Sequence, residues 1–477
     1  MIDPTSSPGP HATLAERRLL LHGLGITNRA VAVAAVARGL EVVLSDDRDP
    51  PGAERLAAEL GADLHLAPSL DQLGDLVRSV DAVLPAPGLS ESHPLFGLAA
   101  RIGRPVLSEF DLAAAWDGRP VLAITGTNGK TTVTTLVTSM LEHSGVAAAA
   151  VGNLETPLVE AVGRDDLDVF VVEASSFRLA HSRRFAPAVG TWLNFAPDHL
   201  DVHATLEDYR EAKARIWADQ RAGDLAVVAA DDPVVDAAAT RMLERAAADG
   251  FDPPSVVRFG VGDALDAERV AYRQEGDVLV VDDPARGART ELISVADLWS
   301  TLPHDRSNAL AAAATALGGG ATLDGVRAAL HSFRGLPHRV ELVLEHDGVR
   351  WYDDSKATAP HATLAAVVGF DSVVLVAGGR NKGLDLGEMG AAADHVRAVI
   401  GIGESAAEVV AAFPDRPSSV AASMADAVDA AAGLAGRGDV VLLSPGCASF
   451  DWYGSYAERG DDFARLVRER VLAAGDR

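Results

Sequence analysis

Cysteine is almost missing: Cys447 is the single one in 477 residues. A lone thiol excludes a disulfide within the chain and a cysteine-based zinc cluster, and it fits a reducing compartment. Positive charge is also short, with 42 Lys and Arg against 68 Asp and Glu and a formal charge of −26. Such a chain repels nucleic acid and anionic membranes, so neither is expected as a partner, and an anionic substrate must meet local positive charge. Long apolar runs are absent too. The alanine-rich stretch 30–37 is cut by Arg38 and Gly39, far below the roughly 20 residues that cross a bilayer. The opening MIDPTSSPGPHATLAERR has Pro, Ser and Thr where a secretory signal needs a basic start and an apolar core. It reads as a frayed leader, and the expectation is a cytoplasmic monomer.

What is present starts with length, which suggests about three domains. The most informative stretch is GTNGKTT, residues 126–132. The apolar run PVLAI (120–124) precedes it as a buried strand, and residues 133–143 have helical character. A glycine-bearing loop at a strand-to-helix turn can surround a polyphosphate with backbone N–H groups. In that role Gly126, Thr127, Asn128, Gly129 and Thr132 line the loop, Lys130 reaches the outer phosphates, and the Thr131 hydroxyl ligates magnesium. The expected ligand is ATP. The strict phosphate-loop pattern wants glycine where Ile124 stands, so this is a shortened variant. The bland alternative is a tight turn followed by a solvated lysine.

Upstream, a strand at 19–22 leads into Gly23-Leu24-Gly25, a helix-like 30–38 and a second strand ending at Asp46-Asp47-Arg48. This βαβ unit resembles a dinucleotide fingerprint in which Asn28 occupies the third glycine position. It supports a nucleotide or its diphosphate at Gly25, Ile26 and Thr27, with Asp46, Asp47 or Arg48 near the base or ribose. Close helix packing explains the glycines equally well. Strands at 82–84 and 106–107 follow, then a boundary near 116. Two further strands end in reactive residues, 168–172 at Glu173 and 189–195 at Asp198-His199. Parallel sheets collect ligands at their carboxyl ends, so Lys130, Glu173 and His199 are expected to converge. The helix expected at 206–219 puts Tyr209, Lys213 and Ile216 on one face, where an isolated lysine ordinarily snorkels. Strands at 225–229 and 256–259 and a helix over 307–317 complete this domain. From about 335, a hairpin turning at Asp347-Gly348 opens a last run of alternating strands and helices, with strands at 372–376, 398–401 and 440–443.

Taken together, GTNGKTT, VVEASSF, NFAPDHLD, YREAKARI, LPHRVE, DDSKAT, AGGRNKG and LLSPGCASFD resemble the Mur ligase family in order and spacing. The resemblance implies an α/β protein of three domains: a Rossmann-like UDP-precursor domain (1–115), a central phosphate-loop ATP-binding domain built on a parallel sheet (116–334), and a Rossmann-like amino-acid domain (335–477). It implies ATP-dependent addition of D-glutamate to UDP-N-acetylmuramoyl-L-alanine through an acyl phosphate, in peptidoglycan synthesis. Lys130 and Thr131 would serve the phosphates and metal, Glu173 and His199 would anchor Mg²⁺, and Asn153 and His199 would contact the precursor. Lys213 aligns with a lysine that takes a CO₂-derived carbamate and then helps hold a second magnesium. Asn308, Arg339, Asp354 and Lys356 match nucleotide-holding positions, and Thr358, Lys382, Ser449 and Tyr456 match the D-glutamate pocket. The chain departs from the family pattern at Ala86, Glu155, His304-Asp305 and Ala359.

Other classes fit less of the chain. A diamino-acid ligase of the same family would carry a DNPR-like stretch, and a folylpolyglutamate synthase would not place some 115 residues before the phosphate loop. A nicotinamide-dependent oxidoreductase would complete the glycine fingerprint at Asn28. A noncatalytic nucleotide-binding regulator would lack Lys130, Glu173 or His199.

Overall fold

The computed structural model describes residues 15–199, 202–262, 270–283 and 288–475. Most of the expected leader, and Leu200 and Asp201 of the NFAPDHLD stretch, lie outside the described residues. Arg18, at the leader's end, already belongs to the first strand.

That strand, β1 (Arg18–His22), is joined by β2 (Glu41–Asp46), β3 (Asp63–Leu66) and β4 (Ala82–Pro85) in a parallel sheet of order β3-β2-β1-β4. Leu19, Leu20 and Leu21 are fully buried, as unbroken apolar strands are when both sheet faces are covered. β2 and β4 flank β1 on opposite sides, so the connections diverge at the end of β1 and open a crevice there. The strand expected at 106–107 is only an isolated bridge between Val83 and Val106. Ser108 ends it by capping the helix Glu109–Trp116 in a reciprocal box with Asp111, which turns the chain away from the sheet.

The second sheet contains β5 (Val121–Thr125), β6 (Ala148–Gly152), β7 (Val169–Glu173), β8 (Val189–Trp192), β9 (Leu225–Ala229), β10 (Ser255–Gly260), β11 (Tyr272–Glu275), β12 (Val278–Asp283) and β13 (Ala288–Ser294). Its order is β13-β12-β11-β10-β9-β8-β5-β7-β6, parallel from β6 to β11 and antiparallel beyond. The sequence reading assigns no strand to β11–β13, although β12 carries the apolar run 278–281. β5 lies between β7 and β8, so it too sits where the connections diverge. The helix expected at 206–219 is α-helical over Leu206–Ala214 and tightens to a 3₁₀ turn at Arg215–Trp217.

A third sheet, of order β14-β15-β19-β16-β17-β18, comprises β14 (Glu341–His346), β15 (Val349–Asp353), β16 (Val373–Gly378), β17 (Val396–Ile402), β18 (Ser418–Val420) and β19 (Val440–Leu443). The β14–β15 hairpin turns at Asp347 and Gly348, both at positive φ (52° and 77°), the geometry of a tight primed turn. Separate apolar clusters cover the two faces of this sheet.

The described residues fall into two compact units, those that lie within 1–195, 199–301 and 305–333 forming one and those within 196–198, 302–304 and 334–477 the other. One apolar cluster runs through both sheets of the first unit. Each fully buried Leu or Val there contributes about 1.5–3 kcal/mol.

Candidate active site

The phosphate loop runs from the end of β5 into the helix Lys130–Glu142. Ile124 is fully buried inside β5, which is why the loop starts two residues later than the strict pattern. Gly129 caps the helix at φ 82°, and a Cβ there would lie 2.4 Å from Asn308 Oδ1. Glycine at this position thus serves both backbone conformation and the close approach of Asn308, a predicted nucleotide residue. Lys130 Nζ donates to the carbonyls of Gly126 (2.9 Å) and Thr127 (3.0 Å). Asn194, which sequence reasoning missed, braces the loop. Its Oδ1 accepts from the Thr127 and Asn128 amides at 3.0 and 2.8 Å, and its Nδ2 donates to the Asn128 carbonyl at 3.2 Å.

Lys213 does not snorkel. It is 1% exposed, and its Nζ donates to the Gly126 carbonyl at 2.7 Å and lies 4.6 Å from the Tyr209 ring centre. The face shared by Tyr209, Lys213 and Ile216 points inward, so helical spacing that suits a surface lysine here delivers one to the phosphate loop. Tyr209 is the hub: its hydroxyl bonds Thr127 Oγ1 at 3.3 Å, and its ring meets those of Phe195, His199 and His203. His199, at φ 55°, also sets its ring edge-on to Phe177 at 4.7 Å. Lys130, Lys213 and His199 are therefore brought to one neighbourhood through Gly126 and Tyr209.

Glu173 ends β7, 3% exposed. Its Oε1 accepts from Asn153 Nδ2 at 3.0 Å, and its Oε2 is buried without a hydrogen-bond partner among the described residues. Gly152, at φ 101°, lets this approach happen, since a Cβ would stand 2.6 Å from the Glu173 carbonyl. A buried carboxylate oxygen left unpaired among the described residues is a donor of the kind that suits a hard divalent cation.

At the end of β1, Asn28 explains the incomplete glycine fingerprint. Its Nδ2 donates to the carbonyls of His22, Gly23 and Leu84, adding to the β1–β4 ladder side-chain bonds that a glycine could not make. Ala86 packs there too, its Cβ 2.6 Å from where a Cβ on Gly23 would lie. Asp46 holds the turn through the amides of Leu24 (2.6 Å) and Arg48 (2.9 Å), while Asp47 and Arg48 are exposed. Asp47 lies between two imidazoles, His93 Nε2 at 3.1 Å and His22 Nε2 at 3.3 Å. Leu95 N–H already bonds His93 Nδ1, which leaves the proton on Nε2 facing Asp47, so this cluster is a clamped carboxylate rather than a metal site. Gly25 and Ile26 are exposed and Thr27 is buried.

In the second unit, Asp354 is buried and accepts from Ser444 Oγ at 2.7 Å; burial pushes its carboxyl up to about 7. Lys356 Nζ sits 3.9 Å from the Tyr456 ring centre. The Tyr456 carbonyl accepts from Ser355 Oγ, which in turn accepts from the buried Arg459 Nε. Ser449 is 2% exposed, Arg339 and Thr358 half-buried, and Lys382 exposed on the loop after β16. Ala359 precedes the helix Pro360–Val367 and gives it no side-chain cap.

Residues 124–316 match the model of the Mur ligase middle domain, and residues 338–447 that of the Mur ligase, glutamate ligase domain. The UDP-N-acetylmuramoylalanine–D-glutamate ligase of Frankia casuarinae is 41% identical over 462 residues, 95% of this chain and 94% of that one. The enzyme of the same name from Desulfosudis oleivorans is 38% identical, with 96% and 97% covered. The MurF ligase from Thermotoga maritima, solved in complex with ADP, shares the fold at a TM-score of 0.55 and 17% identity over 98% of both chains. No helix among the described residues is long and apolar enough to cross a membrane. Matched by two domain models of one family and by relatives that it covers almost from end to end, the chain belongs to the Mur ligases.

Proposed function

We infer that the protein is an ATP-dependent ligase that adds D-glutamate to UDP-N-acetylmuramoyl-L-alanine in peptidoglycan synthesis. The observation that carries this reading is identity of 38–41% to D-glutamate ligases over nearly the whole chain, amino-acid domain included. The chemistry follows from the substrates. A precursor carboxylate oxygen attacks the γ-phosphorus of ATP, ADP leaves, and the acyl phosphate forms. The amine of D-glutamate then attacks the acyl carbon, a tetrahedral intermediate collapses, phosphate leaves, and the amine proton passes to solvent or a nearby base.

Within this reading the loop Gly126–Thr132 cradles the phosphates, and Lys130 neutralises charge on the transferring group. Mg²⁺ would be held by Thr131, Glu173 and His199, and when bound it screens the phosphate charge. The orphaned Oε2 of Glu173 supports that assignment. A carbamate on Lys213 would add an anionic donor beside the loop. Thr27, its neighbours Gly25 and Ile26, and Asp46, Asp47 and Arg48 receive the UDP end, and Asn153 and His199 face the reacting end. Asn308, Arg339, Asp354 and Lys356 hold the nucleotide, and Thr358, Lys382, Ser449 and Tyr456 hold D-glutamate, whose two carboxylates call for such donors. The assignment divides the chain at about 115 and 334, and it implies a cytoplasmic monomer.

The test is phosphate release by purified protein with ATP, Mg²⁺ and UDP-N-acetylmuramoyl-L-alanine, comparing D-glutamate with L-glutamate, D-alanine and L-lysine, with the product mass checked alongside. Release that depends on D-glutamate and yields the amide mass is expected. Turnover with a different amino acid overturns the specificity, and no turnover with ATP still bound overturns the enzyme reading.

A further inference from the structure

Arg178 belongs to the four-residue helix Ser176–Leu179 just beyond β7 and is 5% exposed. Its guanidinium joins three distant segments. Nε donates to Glu109 Oε1 at 2.5 Å, Nη1 to Asn153 Oδ1 at 2.8 Å, and Nη2 to Thr27 Oγ1 at 2.9 Å. Glu109 is 3% exposed and neutralises the charge, so the pair sets the plane of the guanidinium, and the planar fork then holds the other two acceptors apart at a set separation.

The bond to Asn153 decides which way its carboxamide faces. Oδ1 is taken by Arg178, so Nδ2 is the end that donates to Glu173 Oε1 at 3.0 Å. Asn153 is otherwise exposed, and Nδ2 keeps a second N–H. The bonds therefore form a line, Thr27–Arg178–Asn153–Glu173, from the turn at the end of β1 to the carboxylate at the end of β7. We propose that Arg178 is a positioning residue that couples occupancy of the nucleotide turn by the UDP end of the substrate to the orientation of Asn153 and Glu173 at the reacting end. This rests on the ligase reading above. Its consequence is that a precursor bound at its UDP end meets an Asn153 already turned for its carboxylate.

The experiment compares the full chain with Arg178→Lys, Thr27→Val and the double variant, measuring D-glutamate-dependent phosphate release and thermal unfolding. Lysine keeps the charge against Glu109 but cannot span all three acceptors. Arg178→Lys is expected to lower kcat about 10- to 100-fold, as loss of a partner that orients a site residue does, and to raise KM for the UDP precursor several-fold while KM for ATP stays within about twofold. Thr27→Val is expected to raise KM for the precursor in the wild-type background and to add nothing in the Arg178→Lys background. The neutral pair Glu109→Gln with Arg178→Gln avoids a lone buried charge and should reproduce the kinetic defect in a folded protein. A purely structural role would lower the unfolding temperature and leave both KM values alone. Wild-type kcat and KM in Arg178→Lys, or an additive cycle, overturns the proposal. A wild-type chain that makes no amide at all overturns the ligase reading and the coupling with it, an outcome separate from a working enzyme indifferent to Arg178.

Discussion

Lys213 and Lys130 donate to the same oxygen, the carbonyl of Gly126, at 2.7 and 2.9 Å. Two ammonium groups are thereby held within a few ångströms of each other at the mouth of the phosphate loop. A carbamate on Lys213 would replace a like-charge contact by an ion pair while keeping one N–H for Gly126. The expected outcome is a carbamate resonance in ¹³C NMR after addition of ¹³C-bicarbonate, absent from Lys213→Arg, with turnover of that variant down about 100-fold or more. Full activity in Lys213→Arg would rule the modification out of the reaction.

Gly129→Ala meets two obstacles, a positive φ and the Asn308 side chain 2.4 Å from the new Cβ. ATP affinity, read by calorimetry, should fall about tenfold or more, and stability by about 1–3 kcal/mol. Adding Asn308→Ala removes the clash but not the backbone strain, so stability should recover only in part.

Asn194 distinguishes bracing from charge. Asn194→Ala removes the Oδ1 acceptor shared by the Thr127 and Asn128 amides, while the Thr127 amide keeps its bond to the Asn194 backbone carbonyl at 3.2 Å, and should cost about 1–3 kcal/mol in denaturant unfolding. Asn194→Asp keeps the acceptor for both amides but puts an anion beside a phosphate site. It should raise KM for ATP about tenfold with a smaller change in stability.

Asp354 gives the pH dependence. Its carboxyl is raised from the ordinary 3.8 to about 7 by burial, with the Ser444 hydroxyl and the Arg339 charge opposing the shift. Between about pH 4 and pH 7 the folded chain retains a proton that the unfolded chain has released, so this group makes stability fall as pH rises through that window and level off above 7. Asp354→Asn should abolish the decline, making the variant's loss of stability between pH 5 and pH 8 smaller than the wild type's by on the order of a few kcal/mol. Parallel curves for the two proteins would show that Asp354 titrates normally.

Much of the fold was legible because its signals are short-ranged. The buried runs of β1, β5 and β7, the Asp347-Gly348 turn and the GTNGKTT loop each depend on neighbours a few residues away. The strands β11–β13, which follow one another in an antiparallel run at one end of the sheet, mix apolar and charged residues and were not read from the sequence. The bridge at Val106 was overread as a strand because two apolar residues say nothing of a cap at Ser108.

The site divides along the same line. Composition and ordered motifs were enough to exclude disulfides and cysteine-based zinc clusters, to mark the phosphate loop, and to point to the family, since these are properties of residue type and local spacing. Folding settled that Lys213 faces inward, that Asn28 ties two strands together, and that Asn194, Tyr209 and Arg178 hold the predicted residues in place. These facts depend on strand order: Arg178 and Thr27 are 151 positions apart, and Asn194 and Thr127 are 67. No local period reports such pairs, because hydrogen bonds between them exist only once β1, β5 and β7 lie in their sheets and burial makes an unpaired polar group costly.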